Sequence, residues 1–102
     1  MSTPAKGYWI GHMNVRDPEV YRTYVAANAA PFARFNARFL VRGGQAEVTE
    51  GKAHPRHVVI EFASYADAVA CYHSAEYQAA KALRDPVAEG DMVIVEGYVP
   101  PV

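Results

Sequence analysis

The sequence contains almost no cysteine: Cys71 is the only one in 102 residues. A single thiol excludes an internal disulfide framework and a thiolate zinc site, and it fits a reducing compartment. The chain also lacks any run of 18 apolar residues, and its first segment, MSTPAKGYWI, has a single lysine and no apolar region of the kind found in signal peptides. We therefore expect a cytoplasmic protein that does not enter a membrane.

An excess of charge of either sign is also missing. The chain has ten Lys and Arg against eleven Asp and Glu, which gives a formal net charge of -1. Without a global basic field, we expect neither nucleic acid nor an anionic membrane surface as a partner. The length fits one domain over residues 1–102, with no internal repeat.

What the chain does have is apolar material and clear periodicity. Seven tyrosines, four phenylalanines and one tryptophan provide for a core and an interface. Alternation, capping signals and turn residues predict the order β-α-β-β-α-β. The predicted elements are strand one at Gly7–Val15, helix one from Pro18 to about Phe35, strand two at Arg38–Thr49 with a bulge or sharp bend at Gly43-Gly44, strand three at Arg56–Phe62, a two-part helix at Tyr65–His73 and Glu76–Arg84, a loop at Asp85–Gly90, and strand four at Asp91–Tyr98.

On one antiparallel sheet this order predicts an α+β, ferredoxin-like fold with strand order 4-1-3-2 and both helices on one face. The face predicted to pack under the helices is apolar: Trp9, Gly11, Met13, Val58, Ile60, Phe62, Val93 and Val95. The other face is mixed: Tyr8, Ile10, His12, Asn14, His57, Val59, Glu61, Met92, Ile94, Glu96 and Tyr98. A mixed face of this kind is usually covered, so we expect a homodimer formed through the sheet.

Several segments form a specific combination: strand one followed by VRDPEVYRTYVAANAAPFARF, then RFLVRGG, VVIEF, CYHSAEYQAAKALR and VIVEGY. Over essentially the whole chain they resemble domain-of-unknown-function family thirteen-thirty, in the dimeric α/β-barrel superfamily. The resemblance implies a protomer whose sheet packs on that of a twin. Related branches include cofactor-free monooxygenases, haem-degrading enzymes, chlorite dismutases and lactone isomerases, although a shared fold does not transfer function.

We therefore expect a small-molecule enzyme of monooxygenase or isomerase type, with no cofactor and a pocket in or near the dimer barrel. Its ligand would be a small oxygenated or carboxylated molecule. The alternative is a non-catalytic dimer that binds a metabolite or has a structural role. The candidate residues are His12 and Arg42 as catalytic groups, and Asn28, Glu61, Tyr72 and Tyr77 as substrate-binding groups.

Two candidates lie on elements predicted to be buried. His12, placed between Val59 and Ile94 by matching strand centres, could act as acid, base or ligand, or could be a neutral interface histidine. Asn28 could orient an oxygenated substrate between helix one and the sheet. Alternatively, its amide repairs the hydrogen-bond ladder at the Ala27 carbonyl, which loses its donor at the proline in position 31.

Each charged candidate could also have a purely structural role. Arg42 could hold a substrate carboxylate at a cavity mouth or pair with Glu61. Glu61 and Glu96 are placed on either side of Ile10, about two strand spacings or ~9.5 Å apart, which is too far to share a proton.

The remaining candidates cluster near the predicted break in helix two. Tyr72 and Tyr77 could contact substrate, and His73 beside them lies where a haem-binding relative would place a histidine ligand. The alternative is a packed aromatic hinge with His73 at the surface. His54 and His57 flank a turn without any metal-ligand spacing, so we expect no metal site.

Overall fold

Residues 4–101 are described by the computed structural model, and they form four strands and three helices. The elements are β1 (Gly7–Val15), α1 (Pro18–Arg34), β2 (Arg38–Arg42), β3 (Arg56–Phe62), α2 (Tyr65–His73), α3 (Ala75–Arg84) and β4 (Ala88–Glu96).

The helices begin where the capping residues predict. Asp17 Oδ1 accepts hydrogen bonds from the backbone N–H of Glu19 and Val20, and Ser64 Oγ accepts one from the backbone N–H of Asp67. Ser74 Oγ accepts from the Tyr77 N–H at 3.2 Å. The predicted two-part helix is therefore confirmed, with Ser74 ending α2 and capping α3.

The four strands form one antiparallel sheet in the order β2-β3-β1-β4. This is the predicted strand order, and it confirms the α+β, ferredoxin-like fold. Within residues 4–101, no helix has the length and apolar character needed to cross a membrane.

The core lies between the sheet and the helices, around Trp9. This side chain is 1% exposed, and its Nε1–H donates to the Ala68 carbonyl at 2.9 Å. Cys71 is also fully buried in this core, as expected for a small hydrophobic residue, and burial raises the pKa of its thiol to about 12.

Strand β2 is shorter than predicted. It ends at Arg42 rather than Thr49, because Gly43 adopts a φ of +70° that takes the chain out of the sheet. Of the two alternatives predicted at the glycine pair, the sharp bend is found at Gly43, whereas the irregularity in strand pairing lies between Phe39 and Val41. Residues 43–55 form the connection to β3.

Strand β4 begins earlier than predicted, at Ala88 instead of Asp91. Gly90, assigned to a loop from its sequence, lies inside the strand. A Cβ at this position would overlap the His12 carbonyl oxygen and would lie 2.7 Å from Met13 Sδ. The glycine therefore allows the β4 backbone to approach β1 closely.

The early start of β4 changes its register. Ile10 pairs with Val93 rather than with Glu96, a shift of three residues that reverses the predicted faces of this strand. On β3, Ile10 pairs with Val59 rather than with Glu61, a shift of two that leaves the faces unchanged.

Met92 and Ile94 consequently face the helices, although they were predicted on the opposite face of the sheet. Val93 and Val95 were predicted to face the helices and instead face away from them, so the predicted faces of all four residues are wrong. The surface away from the helices, which we call the open face, contains Tyr8, Ile10, His12, Asn14, His57, Val59, Glu61, Asp91, Val93 and Val95. This surface is more apolar at its centre than the sequence predicted.

The close approach at Gly90 can be tested by Gly90→Ala. We expect the free energy of unfolding to fall by about 1–3 kcal/mol, because the added methyl group pushes β4 away from β1. Chemical denaturation would measure it. Gly44→Ala is the matched control, since nothing lies within 4 Å of a Cβ at Gly44. Equal stability of the two variants would contradict this account of the strand pairing.

Candidate functional site

A cavity of about 40 Å³, which we call the inner cavity, lies between the sheet and helices α1 and α3. Its apolar walls include Trp9, Phe32, Ile60 and Met92. Its polar lining consists of Tyr21, Tyr24, Asn28, Arg42, Arg56, Tyr77 and Arg84. A space of this size with several polar groups can hold a few water molecules or one small substituent of a ligand.

A second, more open cavity of about 390 Å³ adjoins the first, and we call it the vestibule. The two share the lining residues Met13, Tyr21, Val25 and Arg56. The vestibule lies where β1 ends and α1 begins, and it is also lined by Arg22 and Gly43. Together the cavities have the volume of an ordinary small-molecule site, narrowing from the vestibule inward.

Helical spacing accounts for the polar lining on the helices. Tyr21, Tyr24 and Asn28 follow one another by three and four residues on α1, and Tyr77 and Arg84 lie seven apart on α3. Such spacings place side chains on one face of a helix. Both helices turn this face toward the sheet.

Two buried hydroxyl groups meet inside the cavity. Tyr24 and Tyr77 are joined by a hydrogen bond of 2.8 Å between their hydroxyl oxygens. Burial, reinforced by Tyr24, raises the pKa of Tyr77 above its ordinary value, against a smaller opposite effect of Arg84. Tyr77 is therefore protonated at neutral pH, and the pair has a proton to donate to a ligand.

Asn28 is 4% exposed and lines the same cavity. Among the side-chain hydrogen bonds within residues 4–101, none includes its amide, and the predicted repair of the Ala27 carbonyl is not formed. The geometry thus favours the other interpretation, an amide that faces a bound molecule.

Arg42 lies at the edge of the inner cavity, with its guanidinium 4.1 Å from the centre of the Phe39 ring. It is opposite Val58 on β3, whereas Glu61 is opposite Arg38. Arg42 and Glu61 therefore lie on opposite faces of the sheet, and the predicted ion pair between them is wrong. Glu61 instead accepts a hydrogen bond of 3.4 Å from a tyrosine hydroxyl on the open face.

His12 lies on the open face, away from both cavities. Its partners across the strands are His57 and Asp91, so the predicted apolar neighbours are wrong. Its Nδ1 accepts a hydrogen bond of 2.9 Å from the His54 N–H, and its Nε2 lies 3.5 Å from Asp91 Oδ2. Both ring nitrogens thus have partners, as the interpretation of a satisfied interface histidine requires.

The same region contains a group of potential metal ligands that the sequence did not indicate. Ligand atoms of His12, His54 and Asp91 all lie within 4.8 Å of one another. Because the Nδ1 atom of His12 accepts a hydrogen bond, a neutral ring carries its proton on Nε2, toward Asp91. A metal ion at that nitrogen would have to displace this proton.

Of the two tyrosines at the helix break, only Tyr77 lines the inner cavity. Tyr72 lines a separate cleft beside α3 and β4, and its ring packs 5.6 Å from that of Tyr77 and 5.8 Å from that of Trp9. His73 is exposed, as expected. The geometry around Tyr72 is that of a packed aromatic hinge.

Four members of the site were not among the residues predicted from the sequence: Tyr21, Tyr24, Arg56 and Arg84. Arg56 shares the alternation of Val58 and Ile60, which already placed it on the helix side of the sheet. Arg84 follows Tyr77 at a spacing that continues one helical face. Both signals were present, but an arginine at the end of an element is ordinarily read as exposed.

Comparison with known proteins adds a family and a fold. The model of the family described as "Domain of unknown function (DUF1330)" matches residues 6–98 of the chain. A search of curated proteins found no match.

Several solved structures resemble this one, and three of them illustrate the likeness. A protein of unknown function from Rhodopseudomonas palustris has a TM-score of 0.73 at 16% identity, covering 94% of this chain and 85% of that one. SnoaB, a cofactor-independent oxygenase from Streptomyces nogalater, has a TM-score of 0.64 at 13% identity, covering 89% and 91%. A dimeric ferredoxin-like protein from Thermobifida fusca has a TM-score of 0.59 at 16% identity, covering 94% and 92%. At such identities the likeness shows the fold alone.

The hydroxyl pair can be tested by a double-mutant cycle. Tyr77→Phe leaves the Tyr24 hydroxyl buried without its partner, so we expect a loss of about 1–3 kcal/mol in unfolding free energy. The double variant Tyr24→Phe/Tyr77→Phe should lose less than the sum of the single variants, because it leaves no orphaned hydroxyl. Denaturant titration gives all three values, with the exposed Tyr98→Phe as control. Additive losses would show that the two hydroxyls are not coupled.

Proposed function

Because the chain belongs to the DUF1330 family, whose description names no activity, we propose its function from the geometry of the two cavities. The protein is a homodimeric small-molecule enzyme that needs no cofactor, of monooxygenase or isomerase type, and its substrate is a small oxygenated molecule. The observation that carries this proposal is the set of neutral hydrogen-bonding groups, Tyr24, Tyr77 and Asn28, that line a cavity with apolar walls and arginines.

These groups suit one kind of chemistry. Hydroxyl and amide donors held in a cavity of low polarity stabilise negative charge that develops on a substrate oxygen. A phenol or enol bound there becomes more acidic, because its anion is the form that these donors favour. The substrate proton would leave through the vestibule to water.

The resulting substrate anion can react in two ways. In an isomerisation, a proton returns to a different carbon of the substrate. In a monooxygenation, the electron pair of the carbanion forms a bond to dioxygen, the oxygen takes up a proton, and the hydroperoxide loses water to leave a carbonyl group. The substrate supplies the electrons in the second case, in keeping with the cofactor-independent oxygenase that shares this fold.

The alternative is a non-catalytic protein that binds a metabolite. The small volume of the inner cavity, about 40 Å³, favours it, since only one substituent of a ligand fits there. We assign Arg42 to orienting the ligand at the cavity edge in either case. His12, with both nitrogens partnered on the open face, is assigned to the interface.

The dimer rests on the open face. Ile10, Val93 and Val95 are adjacent there, at 42%, 54% and 40% exposure. Exposed apolar residues in such a cluster mark an interaction surface. Two sheets stacked through this face would lie about 10 Å apart and cover it. The protein of similar fold from Thermobifida fusca is described as dimeric.

We expect Val93→Asp to dissociate this dimer, because a carboxylate at the centre of the open face would be buried without a partner. Light scattering at micromolar concentration measures the mass. Val48→Asp is the matched control, since Val48 is similarly exposed at 49% but lies in the connection between β2 and β3. A wild-type monomer, or a Val93→Asp variant that stays dimeric, would refute the interface.

Catalysis can be tested with a cyclic 1,3-diketone and a hydroquinone as probes, followed by proton exchange in deuterated water and by oxygen uptake. Asn28→Leu and Tyr77→Phe should each lower turnover by about 100-fold, the usual cost of removing an oxyanion donor. The exposed His73→Ala should leave it unchanged. Thermal stabilisation by a probe without any product would favour the binding protein, and undiminished turnover in Asn28→Leu would exclude the assigned role.

A further inference from the structure

The lining of the two cavities carries charge of one sign. Four arginines line them: Arg22, Arg42, Arg56 and Arg84. Among the lining residues within the described part of the chain, residues 4–101, neither cavity includes an aspartate or a glutamate. This segregation occurs in a chain whose net charge is -1, so acidic residues are available elsewhere. A cleft lined by one sign of charge concentrates ligands of the opposite sign.

Arg56 occupies the central position of the four, because it lines both cavities. Its Nε is buried and has no hydrogen-bond partner in the part of the chain that the structure describes. The ion pairs found between residues 4 and 101 do not include it. Its guanidinium instead lies 5.5 Å from the centre of the Tyr21 ring.

A buried donor on a charged group is costly when no acceptor meets it. The planar guanidinium presents Nε–H and Nη–H side by side, and a carboxylate accepts both at once. Because Nε is enclosed by protein, a carboxylate in the vestibule would reach it with a shift of the Arg56 side chain, and would then give this donor its missing acceptor. The other three arginines do not combine burial with the lack of an acidic partner. Arg22 and Arg42 are exposed, and Arg84 lies 3.5 Å from Asp85.

Gly43 leaves room for this guanidinium. A Cβ built on Gly43 would lie 2.7 Å from Arg56 Nη1, so any larger residue would displace the arginine head group. The position of Gly43 is fixed by its N–H, which donates to the His57 carbonyl at 2.8 Å. The glycine that ends β2 therefore also shapes the wall of the vestibule.

We propose that the vestibule binds an organic carboxylate through Arg56, in the space that Gly43 leaves free. The inference rests on the proposed small-molecule function and narrows it to substrates that carry a carboxylate beside the oxygenated group. The carboxylate lies in the vestibule, and the rest of the molecule extends toward Tyr24 and Tyr77. The apolar side chains of Met13, Val15 and Val25 beside Arg56 suit an organic body better than inorganic phosphate.

Isothermal titration with benzoate, and with benzamide as its neutral analogue, tests the proposal. Wild-type protein should bind benzoate in preference to benzamide and to inorganic phosphate. Arg56→Gln should weaken benzoate binding by about ten-fold or more, and Arg56→Lys should restore only part of it, because lysine lacks the paired donors. Arg38→Gln, which removes the same charge from an exposed position, is the control. Preferential phosphate binding would overturn the carboxylate assignment.

Gly43→Ala provides a second test that keeps Arg56. It should weaken benzoate binding several-fold. Gly51→Ala is its matched control, because Gly51 also has a positive φ, +75°, but nothing lies within 4 Å of a Cβ there. Loss of stability through backbone strain should be similar in the two variants, whereas loss of binding should be confined to Gly43→Ala.

Two further results would overturn the inference: benzoate that does not bind wild-type protein at millimolar concentration, or benzoate that binds Arg56→Gln as it binds the wild type. Turnover of the neutral 1,3-diketone probe by a protein that shows either of these results would remove the carboxylate site and leave the proposed enzyme standing. Benzoate binding that depends on Arg56, without turnover of any probe, would support the site and contradict the enzyme.

Discussion

The packing of Trp9 holds the layers of this protein together. Its ring lies 5.3 Å from Phe32 on α1, 5.8 Å from Tyr72 on α2 and 4.8 Å from Tyr77 on α3, and its indole N–H donates to the Ala68 carbonyl. One side chain of the central strand β1 therefore contacts all three helices. Tyr77 is held between Trp9 and the hydroxyl of Tyr24, and so the position of the cavity depends on the same packing.

Because side chains alternate in direction along β1, the two faces of the sheet have different roles. Trp9, Gly11 and Met13 face the helices and line the inner cavity, whereas Ile10 and His12 face away from it. A molecule in the inner cavity is thus separated from His12 by the sheet itself. Because the inner cavity and the open face lie on opposite sides of the sheet, ligand binding and self-association are expected to respond to different substitutions.

Short-range signals predicted much of this arrangement, and pairing between distant segments produced the errors. The serine and aspartate caps act within three residues, so the helix starts could be read directly. The roles of Gly90 and Arg42 depend on other strands: Gly90 belongs to β4 because the backbone of β1 lies against it. The irregularity between Phe39 and Val41 shifts the alternation of β2, which moves Arg42 to the helix side, away from Glu61. No local pattern in the sequence specifies either effect.

Among the described residues that line the two cavities there is no aspartate or glutamate. A shortage of acidic residues does not explain this absence, and neither does a lack of positions at which an acidic residue can pair with a basic one. The same chain pairs Arg34 with Glu76 between two helices and Lys81 with Asp85 along one helix, both at the surface. A carboxylate beside Arg56 would give its buried Nε an acceptor and stabilise the folded state. A permanent acidic partner would also occupy the site that a ligand needs. An arginine whose buried Nε lacks an acceptor is therefore the arrangement expected of a binding site whose acceptor arrives with the ligand.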